Sequence, residues 1–191
     1  MKDSLFYIII RPFLNVLVKV FLTPKYKGLE NIPKDGKIIF AGTHVSILDP
    51  LLLGSSTKRS IHFLAKDELW KGPKKIIFNN LGLIPVNRRE KDSNSLKLAR
   101  EYLKSGKVIA IFPEGTLEKE KETLLPFKMG AIKLASDTKT KIVPFAITGS
   151  YKLFSRSLKI EFGKPVTVKD KDLEKENKRL EDVINKLIKE K

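Results

Sequence analysis

The hydrophobic pattern of the chain changes character at Pro24. Over residues 4–22 the sequence SLFYIIIRPFLNVLVKVFL is almost wholly apolar, and its polar exceptions after Ser4 are Arg11, Asn15 and Lys19. These three recur at a spacing of four, so on a helix they form one narrow polar stripe on an otherwise apolar cylinder. Pro12 predicts a kink in this helix or its division in two. Beyond Pro24, short apolar runs alternate with longer amphipathic stretches. The runs predict strands over 25–29, 37–41, 61–65, 83–87, 107–112, 141–148 and 158–162. Between them the pattern predicts a helix opening at Asp49-Pro50, helical material over 67–79 interrupted near Gly72-Pro73, and helices over 92–104, 127–136 and 172–189. Strands alternating with helices imply an α/β fold with a largely parallel central sheet flanked by helices. In such sheets ligands sit beyond the carboxyl ends of the strands.

The apolar N-terminus divides the expected organisation into a membrane-associating helix, 1–24, and a folded domain, 25–191. A spanning helix wants about 20 apolar residues without a central charge, and Arg11 with Pro12 opposes that. No small-residue cleavage site follows the run, which argues against a signal peptide. The preferred reading is a helix lying in the membrane interface with its cations near lipid head groups. The alternative is a helix packed on the domain core.

Composition narrows the function classes. A chain of 191 residues fits one domain with a sizeable core. With no cysteine, thiol catalysis, disulfides and cysteine-based zinc sites are excluded. The formal net charge of +16 favours polyanionic partners: anionic membrane lipids, nucleic acid or an acidic carrier protein. No aromatic-interleaved basic groove or zinc-finger spacing points to nucleic acid, so none is expected. No motif suggests a metal or a redox cofactor.

Two loops carry candidate chemistry, and each ends an apolar run. The first is Gly42-Thr43-His44-Val45-Ser46-Ile47-Leu48-Asp49-Pro50. His44 and Asp49 lie about 140° apart on an ideal helix, but Asp49-Pro50 reads as a helix start, with Asp49 as a favoured N-cap. His44 then sits on the preceding loop, where Asp49 can accept from Nδ1 and leave Nε2 to take a proton. On spacing alone, Asp49 as a plain cap and His44 as a hydrogen-bonded loop residue is the commoner reading. The second loop is Phe112-Pro113-Glu114-Gly115-Thr116. Its backbone amides near Gly115 can approach a substrate oxygen closely, and Glu114 can accept from a hydroxyl or organise the loop.

The ordered set of motifs resembles the glycerolipid acyltransferase family, and within it the 1-acyl-glycerol-3-phosphate (lysophosphatidic acid) acyltransferases. The resemblance runs from about Gly28 to Pro165. It comprises His44-x-x-x-x-Asp49, then Gly82-Leu83-Ile84-Pro85-Val86-Asn87-Arg88, then Phe112-Pro113-Glu114-Gly115-Thr116, then Ile142-Val143-Pro144-Phe145-Ala146-Ile147. Phe63-Leu64-Ala65-Lys66-x-Glu68-Leu69 and Pro126-Phe127-Lys128-x-Gly130 match between them. The resemblance implies acyl transfer from a thioester, acyl-CoA or acyl-carrier protein, to the free hydroxyl of lysophosphatidic acid, giving phosphatidic acid. In this reading His44 is the general base and Asp49 orients it. Glu114, Gly115 and Thr116 belong to the acceptor loop, while Lys66, Arg88 and Lys128 meet the acceptor's phosphate. It also implies no cofactor and a place on the cytoplasmic face of the cell membrane, peripheral or monotopic. Two positions depart from the family. Thr43 stands where Asn is frequent, and Leu117 stands where many members carry a phosphate-binding Arg. Leu117 leaves another acceptor open: glycerol 3-phosphate or another lysolipid. A non-catalytic basic protein binding membrane or nucleic acid is the alternative from another class.

Overall fold

The computed structural model describes residues 4–70, 74–86, 94–115 and 125–189. Its strands are β1 (Lys25–Lys27), β2 (Ile38–Gly42), β3 (Ile61–Lys66), β4 (Ile84–Val86), β5 (Val108–Ile111), β6 (Lys141–Thr148) and β7 (Lys159–Phe162). They form one sheet in the order β1-β7-β6-β2-β5-β3-β4. Neighbours pair in parallel except β6 and β7, which are antiparallel, so β7 and β1 run against the other five. The helices are α1 (Leu5–Leu17), α2 (Asp49–Ser55), α3 (Lys74–Asn80), α4 (Asn94–Lys104), α5 (Gly130–Thr138) and α6 (Leu173–Lys189).

The sheet is buried on both faces, and strict alternation assigns its side chains. On β2, Ile38 and Phe40 enter one core with Leu52 and Leu53 of α2 and with Val18 and Leu22. Ile39 and Ala41 enter the other, with Ala99 and Leu103 of α4, Ile132 and Ala135 of α5, and Leu180 and Ile184 of α6. The middle strands are apolar throughout because neither face meets water. The chain leaves β2 through α2 toward β3 on one side, and leaves β5 through α5 toward β6 on the other. These departures in opposite directions open a crevice beyond the carboxyl ends of β2 and β5, the place where doubly wound sheets hold ligands.

Several sequence expectations change at their edges. Pro12 lies inside α1 without dividing it; the irregularity comes later, as a π-helical turn over Val18–Leu22. The reason is anchorage. Ser4 caps the helix by accepting from the Tyr7 amide and donates to the Asn80 carbonyl. The Tyr7 hydroxyl both donates to the Ile61 carbonyl and accepts from its amide, and Val18 and Leu22 are sunk in the core. The segment expected to be helical from 67 becomes a 3-10 turn (Asp67–Trp70) followed by α3, and the helix expected from 127 begins at Gly130. Strand β1 stops at Lys27 because Gly28 turns left-handed, φ 68°, under the Phe162 carbonyl.

Gly42 ends β2 where no side chain fits. A Cβ there would lie 2.2 Å from the Phe145 carbonyl oxygen and 2.6 Å from its ring. Gly42→Ala is therefore expected to destabilise the fold by about 1–3 kcal/mol through overpacking, read as a lowered midpoint in urea unfolding.

Candidate active site

Register places the two loops side by side. Ala41 of β2 pairs with Ile111 of β5, and His44 and Glu114 each follow three residues later. The His44 amide donates to Glu114 Oε1 at 3.3 Å, and the Leu125 amide donates to Glu114 Oε2 at 3.2 Å. Glu114 is 7% exposed, so its carboxylate ties three loop segments together at the rim. Of its two expected roles, organising the loop is the one the geometry displays.

Thr43 explains how the first loop leaves the sheet. Its hydroxyl is buried and accepts the Ile147 amide at 2.8 Å, extending the contact between β2 and β6 by one side chain. Thr43 thus fulfils a backbone-bridging role.

His44 Nδ1 lies 2.9 Å from Asp49 Oδ2. Oδ2 also accepts the amides of Val45 (2.7 Å) and Ser46 (2.9 Å), and the Tyr151 hydroxyl donates to Oδ1. Asp49 is fully buried, whereas the His44 side chain is 19% exposed. The N-cap of α2 is Leu48, so Asp49 is not the cap that the sequence predicts. Its carboxylate turns back over the preceding loop, accepting amides three and four residues earlier in the chain, and carries the imidazole with it. The His44 ring stacks on Phe112 with centroids 4.0 Å apart and planes 15° apart. Ring orientation is therefore held by a hydrogen-bonding partner on one side and an aromatic wall on another. With Nδ1 engaged by Asp49, Nε2 is the nitrogen left for an exchangeable substrate proton.

Tyr151 is the site residue that sequence reasoning does not find. Its hydroxyl pKa is raised well above the ordinary tyrosine range, first by burial and then by the negative charge of Asp49 and its hydrogen bond to that carboxylate. It stays a donor at any working pH. The contact spans 102 residues of sequence, and its only local mark is a tyrosine just beyond the carboxyl end of β6.

The remaining candidates divide. Gly115 adopts φ 71°, and its amide donates to the Phe112 carbonyl at 2.9 Å. That amide closes the turn. Lys128 is brought to this turn: its amide donates to the Pro113 carbonyl, and a Cβ on Gly115 would lie 2.8 Å from Lys128 Nζ. Lys66 ends β3, exposed, and makes no ion pair among the described residues. Arg88, Thr116 and Leu117 lie outside the described residues. The second histidine, His62, is buried in β3 with Nδ1 2.9 Å from the Gly82 carbonyl and its ring against Tyr102, a structural placement away from the rim. Among the described residues no group of three His, Asp or Glu side chains is arranged as metal ligands.

The chain as a whole is similar to known proteins. The sequence model of the Acyltransferase family matches residues 23–148. The chain is 32% identical over 154 residues to a 1-acyl-sn-glycerol-3-phosphate acyltransferase of Borreliella burgdorferi, covering 79% of this chain and 60% of that protein. It is 32% identical to the protein of that name in Bacillus subtilis, covering 74% of this chain and 73% of that one. The crystal structure of the 1-acyl-sn-glycerophosphate acyltransferase of Thermotoga maritima superposes with a TM-score of 0.76 at 25% identity, over 96% of this chain and 78% of that one. A buried-sheet α/β fold, a histidine-aspartate pair on the sheet's carboxyl rim and a sequence match over most of the chain agree: the chain belongs to the acyltransferase family.

Proposed function

We propose that the protein transfers an acyl group from a thioester to the free glycerol hydroxyl of lysophosphatidic acid, giving phosphatidic acid. The observation that carries this reading is His44 Nδ1 held 2.9 Å from a fully buried Asp49. A paired carboxylate fixes the tautomer and stabilises the imidazolium that forms in the reaction. Similarity to proteins named for this activity supports the choice of acceptor.

The chemistry follows from the free nitrogen. His44 Nε2 takes the proton of the acceptor hydroxyl as its oxygen attacks the thioester carbonyl carbon. The resulting tetrahedral oxyanion collapses with cleavage of the C–S bond. The imidazolium returns its proton to the departing thiolate, so the products are the ester and a free thiol, and the base is regenerated. No protein nucleophile takes part, which suits a chain without cysteine, and the reaction as written needs no metal or redox cofactor. The donor is acyl-CoA or acyl-carrier protein, both polyanionic and both suited to a chain of net charge +16. Lys128 over the Gly115 turn, with Lys66 and Arg88, supplies cations for the acceptor's phosphate. They stand in for the arginine that Leu117 replaces.

The acceptor and product are lipids, and the N-terminal segment fits a membrane surface. The 18 residues Leu5–Leu22 are long and apolar enough to cross a bilayer. The contact of Tyr7 with Ile61 and the burial of Val18 and Leu22, with Ser4 at the cap on Asn80, instead lay them along the domain. Ile9 and Phe13 are 66% and 61% exposed on the outer side. Interfacial attachment at the cytoplasmic face, where acyl thioesters are made, is the reading this supports. Both readings of the helix that the sequence left open then hold at once, one for each side.

His44→Ala should lower kcat by about 10²–10⁴-fold, the usual worth of a general base, with folding unchanged by circular dichroism; turnover retained at the wild-type level would refute the mechanism. Tyr151→Phe removes the donor from Asp49 Oδ1 and loosens the hold on the His44–Asp49 pair, so kcat for thiol release should fall. Lys128→Met should raise KM for lysophosphatidic acid by roughly 10- to 100-fold, the worth of about 1.5–3 kcal/mol for a hydrogen bond to a charged group. Thiol release measured across lysophosphatidic acid, glycerol 3-phosphate and a neutral lysolipid identifies the acceptor, and a Lys128→Met effect on the neutral lysolipid alone would remove this residue from phosphate binding.

A further inference from the structure

We propose that the loop between β6 and β7, residues 151–156, is a second membrane-inserting element that sets the active-site rim against an anionic bilayer. This rests on the interfacial reading of the N-terminal helix. Leu153 and Phe154 at its tip are 64% and 61% exposed. Large apolar side chains in such a position are costly in water unless they meet an apolar phase. The loop is built to hold them there. Its base is pinched at Ser157, whose hydroxyl lies 3.2 Å from that of Ser150 and 2.9 Å from that of Ser155. Gly149 approaches so closely that a Cβ would meet the Ser157 carbonyl oxygen at 2.0 Å. Phe154 adopts φ 57° and Arg156 φ 53°, a left-handed conformation that a bulky residue adopts only when its surroundings enforce it.

What enforces it is the N-terminal segment. The Phe154 amide donates to the Phe21 carbonyl at 2.8 Å, and the two rings lie 5.8 Å apart. Phe21 and Val20 are themselves 41% and 53% exposed, so the loop tip prolongs the outer apolar side of the helix into one surface. Lys19, Lys152 and Arg156 are exposed around it. Apolar tips ringed by cations complement an anionic lipid surface: the tips enter the acyl boundary while the cations meet the head groups. The same loop begins at Tyr151, whose hydroxyl rests on Asp49. A single residue, Lys152, therefore separates the lipid-facing tip from the group that holds the catalytic pair. An acceptor hydroxyl at the head-group level can reach His44 without its acyl chain leaving the bilayer.

The test compares three full-length proteins: wild type, Leu153→Ser with Phe154→Asn, and Ile9→Ser with Phe13→Ser. Asn is chosen because it tolerates positive φ. Flotation with phosphatidylglycerol vesicles should show the loop variant binding on the order of tenfold more weakly or worse. Its turnover of lysophosphatidic acid in vesicles should fall in step, with turnover of a short-chain, monomeric acceptor kept. Wild-type binding by the loop variant with loss in the helix variant overturns the loop proposal alone. Wild-type binding by both overturns the membrane reading beneath it as well. Equal loss of turnover on the monomeric acceptor means the loop acts on the site rather than on lipid, and overturns the proposal. An independent readout is Leu153→Trp in a Trp70→Phe background: quenching of its fluorescence by brominated lipid supports insertion, and unchanged emission with vesicles refutes it.

Discussion

The structure turns on one buried carboxylate. Asp49 has no exposure to solvent, and a bare charge in that position would be prohibitively costly. It is tolerated because Oδ2 receives His44 Nδ1 and the amides of Val45 and Ser46, and Oδ1 receives the Tyr151 hydroxyl. Those donors come from two separate parts of the chain. Satisfying the charge therefore shapes the loop after β2, fixes the start of α2, and draws the segment after β6 onto the rim. The same bonds that make the carboxylate admissible also orient the imidazole.

Glu114 serves as a second tie of the same kind. It is nearly buried, and it joins the amides of His44 and Leu125 across the mouth of the crevice. The imidazole is thus approached from below by Phe112, from one side by Asp49, and through its backbone by Glu114. The pre-organisation that acid–base chemistry needs is supplied by neighbours that are themselves held. The loops stay free to carry this because both faces of the sheet beneath them are packed.

The lipid-facing reading and the chemistry meet at the same end of the molecule. The N-terminal segment runs across the domain from Ile61 to Phe154, and its last turn lies against the loop that begins with Tyr151. An enzyme whose acceptor is an amphiphile gains by placing its base at the level of the head groups, since extracting an acyl chain into water is costly for each methylene.

Much of this was legible in the chain itself. Alternation and helical periodicity act over a few residues, so the strands, the amphipathic helices and the apolar N-terminus could be read directly. His44 with Asp49 could be read too, because five residues can close only a local loop. Boundaries were less secure: tertiary anchors overrode Pro12 as a helix break, and the Gly28 turn shortened β1. Only the tertiary structure decided the strand order, the antiparallel β7, the two amides that Glu114 joins, and Tyr151 as the partner of Asp49 across 102 residues. The physical reason is range. A local pattern records which side of an element meets water, whereas which distant donor satisfies a buried charge depends on where the whole sheet brings the chain back.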